Sequence, residues 1–445
     1  LDRQARELAL HFEQGGDRER AIGYLERAAN QLCQRFADRE AMGYLRHALE
    51  LLEALPDSDD RARRELELRI RLARASTHAL GYSPADMDAS LERANELAKT
   101  LDDAERLAVV LTFQSRTLSD GGRADALRAL ARQHRELEPR LEDPVLRAQM
   151  HNEMAIGMFL GGLLDSAEAE HAVVRCHLDG IDAGESTALL GHDLGTLGAA
   201  LYALTTWLRG QPESARRRAA ESLERAERIG EAFAHYTALV LYQMLAQLMR
   251  DPVAVRQLGA RLAKCLKENG FSSPYAFFHA PQGWLLVQDG ELAGGIARLE
   301  AGRDEARATG ACACLSLLLA TLAEAELARG AALPGLAALD EAVVFAEETG
   351  ERFWEPEIHR LRGELLLLRG EPHPAEASYC RALEVACQQG ARALELRAAT
   401  SVARFWKERG DKTRARALLA PLHRSFDQGH DTRDLRQAQE LLEVL

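Results

Sequence analysis

Residues 330–350 read GAALPGLAALDEAVVFAEETG, a stretch of helical periodicity bracketed by two glycines. Its apolar side chains recur at every third or fourth position from Leu333 to Ala346 and so share one face of an α-helix, whereas Asp340 and Glu347 lie on the other face. A glycine just past such a stretch is typical of a helix C-cap, because it adopts a left-handed conformation at little steric cost. The segment therefore predicts one amphipathic helix between two turns.

The same spacing recurs through the second half of the chain. Glycines form two series with a forty-residue step, offset by half a step, and Asp251 lies near a missing member of the second series. Each step therefore holds two helices of about 16 residues. An amphipathic hairpin cannot bury its apolar face alone, so we expect successive hairpins to stack. The two series are Gly230, Gly270, Gly310, Gly350 and Gly390, and Gly210, Gly290, Gly330, Gly370 and Gly410.

The predicted fold is all-α, an α-α superhelix of about 10–11 hairpins over the 445 residues. We expect an elongated rod with an open concave groove, in which residues 210 and 410 do not touch. Its first unit resembles the tetratricopeptide repeat in the order of its large, small, aromatic and turn residues, although the forty-residue step exceeds that family's usual length. The residues that carry this likeness are Leu8, Ala9, Phe12, Gly16, Ala21, Leu25 and Ala28.

The regularity of the pattern divides the chain into four predicted segments. Near the start of the third segment we expect a single helix over residues 187–209, which includes the glycine-rich stretch at 191–198. Because that stretch does not follow a strand, we favour a helix over a nucleotide cradle. The segments are tetratricopeptide-like helices at 1–56, less regular helical repeats at 57–184, regular hairpins at 185–429 and a capping helix at 430–445.

Composition excludes several classes of partner. The formal net charge is −13, and a net acidic surface repels nucleic-acid phosphates. The strongest basic run, Arg216 to Arg218, has glutamates nearby, which favours a salt-bridged face over a nucleic-acid patch. No apolar run approaches the roughly 20 residues that cross a bilayer. Seven cysteines, mostly among apolar residues at helical spacing, indicate a reduced, cytoplasmic protein. We therefore expect neither nucleic acid nor membrane as a partner.

Catalytic motifs are missing from the sequence. It contains no Gly-Lys dipeptide, so a P-loop is impossible within it. Cys312 and Cys314 could offer two thiolates to a metal, but no second Cys or His pair follows at a zinc-type spacing, and core packing is the better interpretation. We therefore predict no catalytic residues, no cofactor and no metal, and a repeat region that is not itself an enzyme. An enzyme with an unrecognised site is the alternative.

Recognition by the concave face is the remaining prediction. In the tetratricopeptide register, six candidate ligand-binding residues point inward. Three of them, Arg360, Arg397 and Arg404, would form a basic ladder that binds carboxylates or phosphates. Pairing within the helix, for example between Glu357 and Arg360, explains those charges about as well. A deep pocket with Trp284 or the basic ladder in its wall would favour a sensor. A concave face with mixed surface charges and no closed pocket would favour a scaffold. The candidates are Trp284, Gln288, Arg360, Glu364, Arg397 and Arg404.

Five segments carry a more specific likeness: TGERFWEPEIHRLRGELLL at 349–367, ARALELRAATSVARFW at 391–406, FDQGHDTRDL at 426–435, AIGYLERAA at 21–29 and AMGYLRHALELL at 41–52. Together they resemble the carboxy-terminal repeat region of bacterial predicted ATPases of the STAND type. That family often carries class III adenylate or guanylate cyclase domains, or serine/threonine kinase domains, ahead of the repeats. The resemblance implies a sensor arm whose nucleotide-binding and output domains lie outside this chain.

The resulting functional hypothesis is a regulatory binding domain of a larger signalling protein. The start at Leu1 without a signal segment agrees with a piece of a longer polypeptide. Its partner would be a protein, a peptide or a small-molecule inducer in the groove, together with the output and nucleotide-binding domains of the parent protein. The alternative is a passive protein-protein interaction scaffold that senses no small molecule.

Overall fold

The computed structural model describes residues 2–33, 37–80, 87–178, 183–190, 192–269 and 276–445, and within these ranges it is helical without a strand. The prediction of an all-α superhelix is confirmed. The helices are α1 Asp2–Gln14, α2 Arg18–Cys33, α3 Asp38–Glu53, α4 Asp59–Leu80, α5 Asp88–Thr100, α6 Ala104–Asp120, α7 Ala124–Leu137, α8 Pro144–Leu160, α9 Leu164–Leu178, α10 Ala183–Leu190, α11 Leu194–Leu208, α12 Pro212–Ile229, α13 Ala232–Leu248, α14 Pro252–Asn269, α15 Ala276–Gln288, α16 Leu292–Thr309, α17 Leu315–Ala328, α18 Ala332–Thr349, α19 Glu355–Leu368, α20 Pro372–Gln389, α21 Arg392–Glu408, α22 Lys412–Arg424 and α23 Arg433–Val444.

The glycine series end helices as predicted. Gly350 follows α18 with φ +77°, and Gly330 ends the turn between α17 and α18 with φ +78°. Where the second series lacks a glycine, Arg250 adopts the left-handed conformation with φ +57°, immediately before Asp251. Gly270 lies outside the described residues. From α11 onward, the chain therefore alternates between inner and outer helices. The inner helices are α11, α13, α15, α17, α19 and α21, and each is followed by an outer helix.

The single helix predicted over 187–209 is wrong, because α10 ends at Leu190 and α11 begins at Leu194. The side chain of Asp193 caps α11 by accepting a 2.8 Å hydrogen bond from the Thr196 amide. Both carboxylate oxygens of Asp193 also accept hydrogen bonds from Arg225, at 2.7 and 2.8 Å. A buried, doubly bonded N-cap fixes a new helix start, which the continuous apolar pattern did not indicate.

The inner helices are buried on almost every side. In α8, α13 and α17, buried residues occur all round the helix, so these helices have no solvent-facing stripe. Successive inner helices contact one another, and each also packs on the outer helix that follows it. The helix that ends the chain, α23, packs on α21 and α22. The inner face of the superhelix is therefore largely filled by the protein itself.

Successive turns of the superhelix touch through the ends of their inner helices. The last carbonyl of α6, at Asp120, accepts a 2.8 Å hydrogen bond from the Ala313 amide just before α17. The last carbonyl of α8, at Leu160, accepts from the amides of Arg352 and Phe353 just before α19, at 2.7 and 3.1 Å. Each donor lies about five forty-residue steps beyond its acceptor. One turn of the coil therefore supplies the donors that the helix C-termini of the previous turn lack.

Aromatic rings pack between the same two turns. The rings of Phe159 and Phe353 are stacked with centroids 4.9 Å apart, and those of Trp207 and Trp354 lie 6.3 Å apart. Phe353 has no solvent-exposed surface. Aromatic pairs of this kind stabilise a fold by more than the burial of their apolar surface alone provides.

Polar contacts extend this interface to the end of the chain. The Gly429 amide donates a 2.8 Å hydrogen bond to Glu213, and Arg216 of the basic run pairs with Asp431 at 2.9 Å. A Cβ atom added to Gly210 would lie 3.0 Å from the ring of Phe426. The expectation of an open rod is therefore wrong: the region around residue 210 touches the region around residue 426. Local periodicity reports which face of a helix is buried, but not what covers it.

Within the described ranges, no helix is both long and apolar enough to cross a membrane.

Replacing Phe353 with Ala should destabilise the protein by about 3–5 kcal/mol, because it leaves a cavity in the interface between turns. Urea denaturation followed by circular dichroism measures the shift in midpoint. Leu333→Ala is the control, since Leu333 is 67% exposed and its truncation should change stability by less than about 0.5 kcal/mol. Equal shifts for the two variants would contradict a buried contact between turns.

Candidate functional site

A buried ionic network lies where α19 and α21 meet the turn after α13. Arg360 donates two hydrogen bonds to Glu357, at 2.7 and 2.9 Å, and its guanidinium also lies 3.3 Å from Glu364. Arg250, in the turn after α13, lies 3.5 Å from Glu357 and 3.5 Å from a carboxylate oxygen of Asp434. The network therefore joins α19 to a turn more than two hairpins earlier and to the final helix.

Arg397 extends the same network. Its Nε donates a 2.7 Å hydrogen bond to Asp434 in α23, and its guanidinium also bonds to the carbonyl of Leu248, the last residue of α13. The cationic carbon lies 5.2 Å from the ring centroid of Trp207. The side chain of Arg397 thereby supplies a donor to the C-terminus of α13, as the Ala313 amide does for α6. Two members of the basic ladder, Arg360 and Arg397, are therefore paired with acidic side chains of the same chain.

The charges of this network shift one another's pKa values. Burial disfavours the ionised form of Glu357, but the guanidinium of Arg360, with those of Arg397 and Arg250, outweighs it and lowers the pKa of Glu357 to about 2. Burial lowers the pKa of Arg397, which Asp434 opposes. The carboxylate of Glu357 is therefore ionised throughout the physiological range and holds three guanidinium groups together.

The structure brings most of the predicted site residues together, though in two small cavities. Arg360, Arg397 and Arg404 line a cavity of about 40 Å³, and Trp284 lines another of about 20 Å³ with Arg397. Glu364 bonds to Arg360 and Ser401 beside the first cavity. Their binding of a ligand stays a prediction.

Gln288 lies apart from these cavities. It is exposed at the end of α15 and accepts a 3.2 Å hydrogen bond from Arg433.

A larger cavity lies on the axis of the superhelix. It has a volume of about 130 Å³ between α6, α8, α11 and α13, and Ala313 and Cys314 of the following turn form part of its wall. Its walls are mostly apolar side chains such as Leu201 and Met244. The hydrogen bond between Ala313 and Asp120 lies in this wall, so the cavity is built from both turns.

One buried carboxyl group in the cavity wall is only half satisfied. Glu153 of α8 is 3% exposed; its Oε1 accepts a hydrogen bond from Gln149, whereas its Oε2 has no hydrogen-bond partner among the described residues. Burial raises the pKa of Glu153 to about 8, with Arg116 opposing the shift and Asp120 adding to it. A buried polar atom in apolar surroundings destabilises the fold unless it has a hydrogen-bond partner.

Sequence reasoning missed this cavity. Glu153 lies in the stretch MHNEMAIGMFL, where a single acid reads as the solvated face of a helix. The available signal was the apolar composition of the inner helices all round, as in LSLLLATLAEAELA at 315–328, which is typical of a helix covered on every side.

Comparisons with known proteins bear on the fold. No family profile matches this chain. An uncharacterized protein of Rhizobium meliloti (strain 1021) is 27% identical over 397 residues, which are 89% of this chain and 38% of that protein. This chain thus corresponds to less than half of its relative's length.

Two solved structures are similar in fold. A Rap protein complexed with competence and sporulation factor has a TM-score of 0.59 and 12% identity, covering 83% of this chain and 99% of that one. The Cut9–Hcn1 hetero-tetramer of the APC/C has a TM-score of 0.51 and 13% identity, covering 100% and 90%. The fold is that of tetratricopeptide-type helical solenoids.

Replacing Glu357 with Gln should destabilise the protein by about 3–5 kcal/mol at pH 7, because it leaves buried guanidinium groups without their counter-charge. The folded-state pKa of Glu357 is depressed, so its contribution is complete above the unfolded pKa of about 4.3 and is lost as the pH falls toward 2. The difference in stability between native protein and variant should therefore narrow over that window in urea melts.

Glu348→Gln, at an exposed position in α18, is the matched control and should leave stability nearly unchanged at every pH. A difference between native protein and E357Q that stays constant from pH 7 to pH 2.5 would contradict the ionic role of Glu357.

Proposed function

We propose that this chain is the regulatory sensor of a larger bacterial signalling protein, and that a small ligand in the axial cavity sets its state. The attached domains would be a STAND-type nucleotide switch with a cyclase or kinase output, as the sequence resemblance implies. The relative in Rhizobium meliloti, of which the matched residues are 38%, supports a parent protein with further domains. The Rap protein was solved with a bound factor, so this fold holds a ligand in at least one other protein.

The observation that carries the proposal is the Oε2 of Glu153, which has no hydrogen-bond partner among the described residues and lies in the wall of a mostly apolar cavity. Apolar cavities near 150 Å³ accept a molecule the size of benzene. The cavity here is about 130 Å³, so its ligand would be a small, mostly apolar molecule with one hydrogen-bonding group for Glu153. The ligand would replace the missing partner of the carboxyl group and fill the void.

Binding can act on the switch because the cavity walls come from two turns of the superhelix. A ligand that contacts α8 and the turn at Cys314 together binds more tightly to the form in which the turns are in contact. This difference in affinity shifts the population of forms, and the attached domains respond to the shift. Motion between turns would occur through the same interface that Phe159 and Phe353 hold together.

Benzylamine and toluene test the cavity directly, since both have the size of one ring and only benzylamine has a nitrogen that can form a hydrogen bond with Glu153. We expect benzylamine to raise the melting temperature more than toluene in a thermal-shift titration, by mass action on the native state. Leu201→Phe should abolish both shifts by filling the cavity, and Leu368→Phe, at a site that is 48% exposed, should not.

Nucleotide hydrolysis by the full parent protein then separates the two functional hypotheses. A sensor requires that a ligand retained by the native cavity change the hydrolysis rate and that L201F remove the change. A ligand that binds in the cavity without altering the parent's activity would instead support the passive scaffold. Absence of any cavity-dependent thermal shift would overturn the ligand site itself.

A further inference from the structure

Two histidines and a glutamate converge on the side of α8 opposite to the cavity. Glu138 lies in the short 3-10 turn after α7, His151 in α8 and His177 near the end of α9. One side-chain ligand atom from each residue lies within 4.8 Å of the others. His151 and Glu153 are two residues apart, which places them about 200° apart around α8. This cluster is therefore separate from the cavity and independent of the proposed function.

The hydrogen bonds of His151 orient its ring as in a metal site. Its Nδ1 lies 2.6 Å from Glu170, and its Nε2 lies 3.3 Å from Glu138. Histidine ligands of zinc commonly donate the other ring N–H to a carboxylate, which fixes the tautomer and raises the basicity of the ligating nitrogen. With bonds of about 2.0–2.1 Å in a tetrahedral site, neighbouring ligand atoms are roughly 3.3 Å apart. The separation of His151 Nε2 and Glu138 matches this edge.

The rings of His151 and His177 face each other, with centroids 5.8 Å apart and planes at 19°. Two imidazolium ions repel each other at this distance, whereas two neutral rings can ligate one cation. Other charges face the cluster: Arg135 lies 3.6 Å from Glu170, Arg147 lies near His177, and His134 lies near His151.

We propose that Glu138, His151 and His177 bind Zn²⁺, with water at the fourth position and Glu170 as the positioning residue for His151. Two imidazoles and one carboxylate form a ligand set that suits zinc and is poor for magnesium or calcium, which prefer oxygen ligands. The carboxylate of Glu138 is 34% exposed, so an ion reaches the cluster from solvent. The zinc ion would replace the proton between His151 and Glu138.

A bound ion would join three consecutive elements of the superhelix. It would tie the α8–α9 hairpin to the end of α7, and α8 also carries the cavity carboxyl and the Leu160 carbonyl that meets the next turn. Sequence analysis predicted no metal, because the three ligands lie on separate elements and form no motif. The fold alone brings them together.

Isothermal titration of the chelator-treated chain with Zn²⁺ tests the site. We expect one equivalent to bind, with His177→Gln weakening affinity at least about tenfold and Glu170→Gln weakening it by about 10- to 100-fold. His373→Gln, at an exposed position in α20, is the matched control and should leave zinc affinity unchanged. Circular dichroism of each metal-free variant checks that the helices are retained, and Glu138→Gln replaces any variant that loses helical content.

Cobalt substitution separates this site from the free cysteines of the chain. Co²⁺ bound by imidazole and carboxylate should give visible d–d bands without the intense thiolate charge-transfer bands that cysteine ligands produce. Thiolate bands would place the metal on cysteines and overturn the proposal. So would the absence of saturable zinc binding, or equal zinc affinity in H177Q and the native chain.

Discussion

The structure depends on how the C-terminal carbonyls of buried inner helices obtain their hydrogen bonds. Every α-helix leaves its last carbonyls without partners, and water cannot reach those that lie on a filled axis. The carbonyls at Asp120 and Leu160 are satisfied instead by the amides of Ala313 and of the pair Arg352 and Phe353, one turn of the superhelix later, and the carbonyl at Leu248 is satisfied by the side chain of Arg397. Because these donors are fixed by the backbone and a buried side chain, the pitch of the coil is fixed with them.

Contact between turns also decides what kind of site the fold can offer. An open solenoid presents a long groove for extended partners, whereas a closed one leaves only the spaces that its own side chains do not fill. The polar part of the axis is occupied by Arg360, Glu357 and Arg397, which satisfy one another. The apolar part retains a void beside Glu153, whose Oε2 receives no hydrogen bond from the residues that the structure describes. The small ligand that we propose would occupy this void.

Sequence periodicity was sufficient for the hairpins but not for their closure. The glycine series predicted the turns at Gly330 and Gly350, and three residues of the predicted site, Arg360, Arg397 and Arg404, line one small cavity. The acidic partners of Arg360 and Arg397 could be predicted only in part from the sequence. Glu357 is three residues from Arg360, whereas Asp434, the partner of Arg397, lies in the last helix. Contacts between residues as distant as 160 and 353 leave no trace in local spacing.

Arrays in which each unit touches only its neighbours tolerate the gain or loss of a unit, since every junction is alike. In this superhelix, by contrast, the ends of inner helices also contact particular residues of the next turn. Inserting or deleting one forty-residue hairpin between Leu160 and Phe353 would put every later donor out of phase with its carbonyl. Added hairpins can therefore be accommodated at the ends of this coil, whereas within the wound section a change in their number would break the contacts between turns.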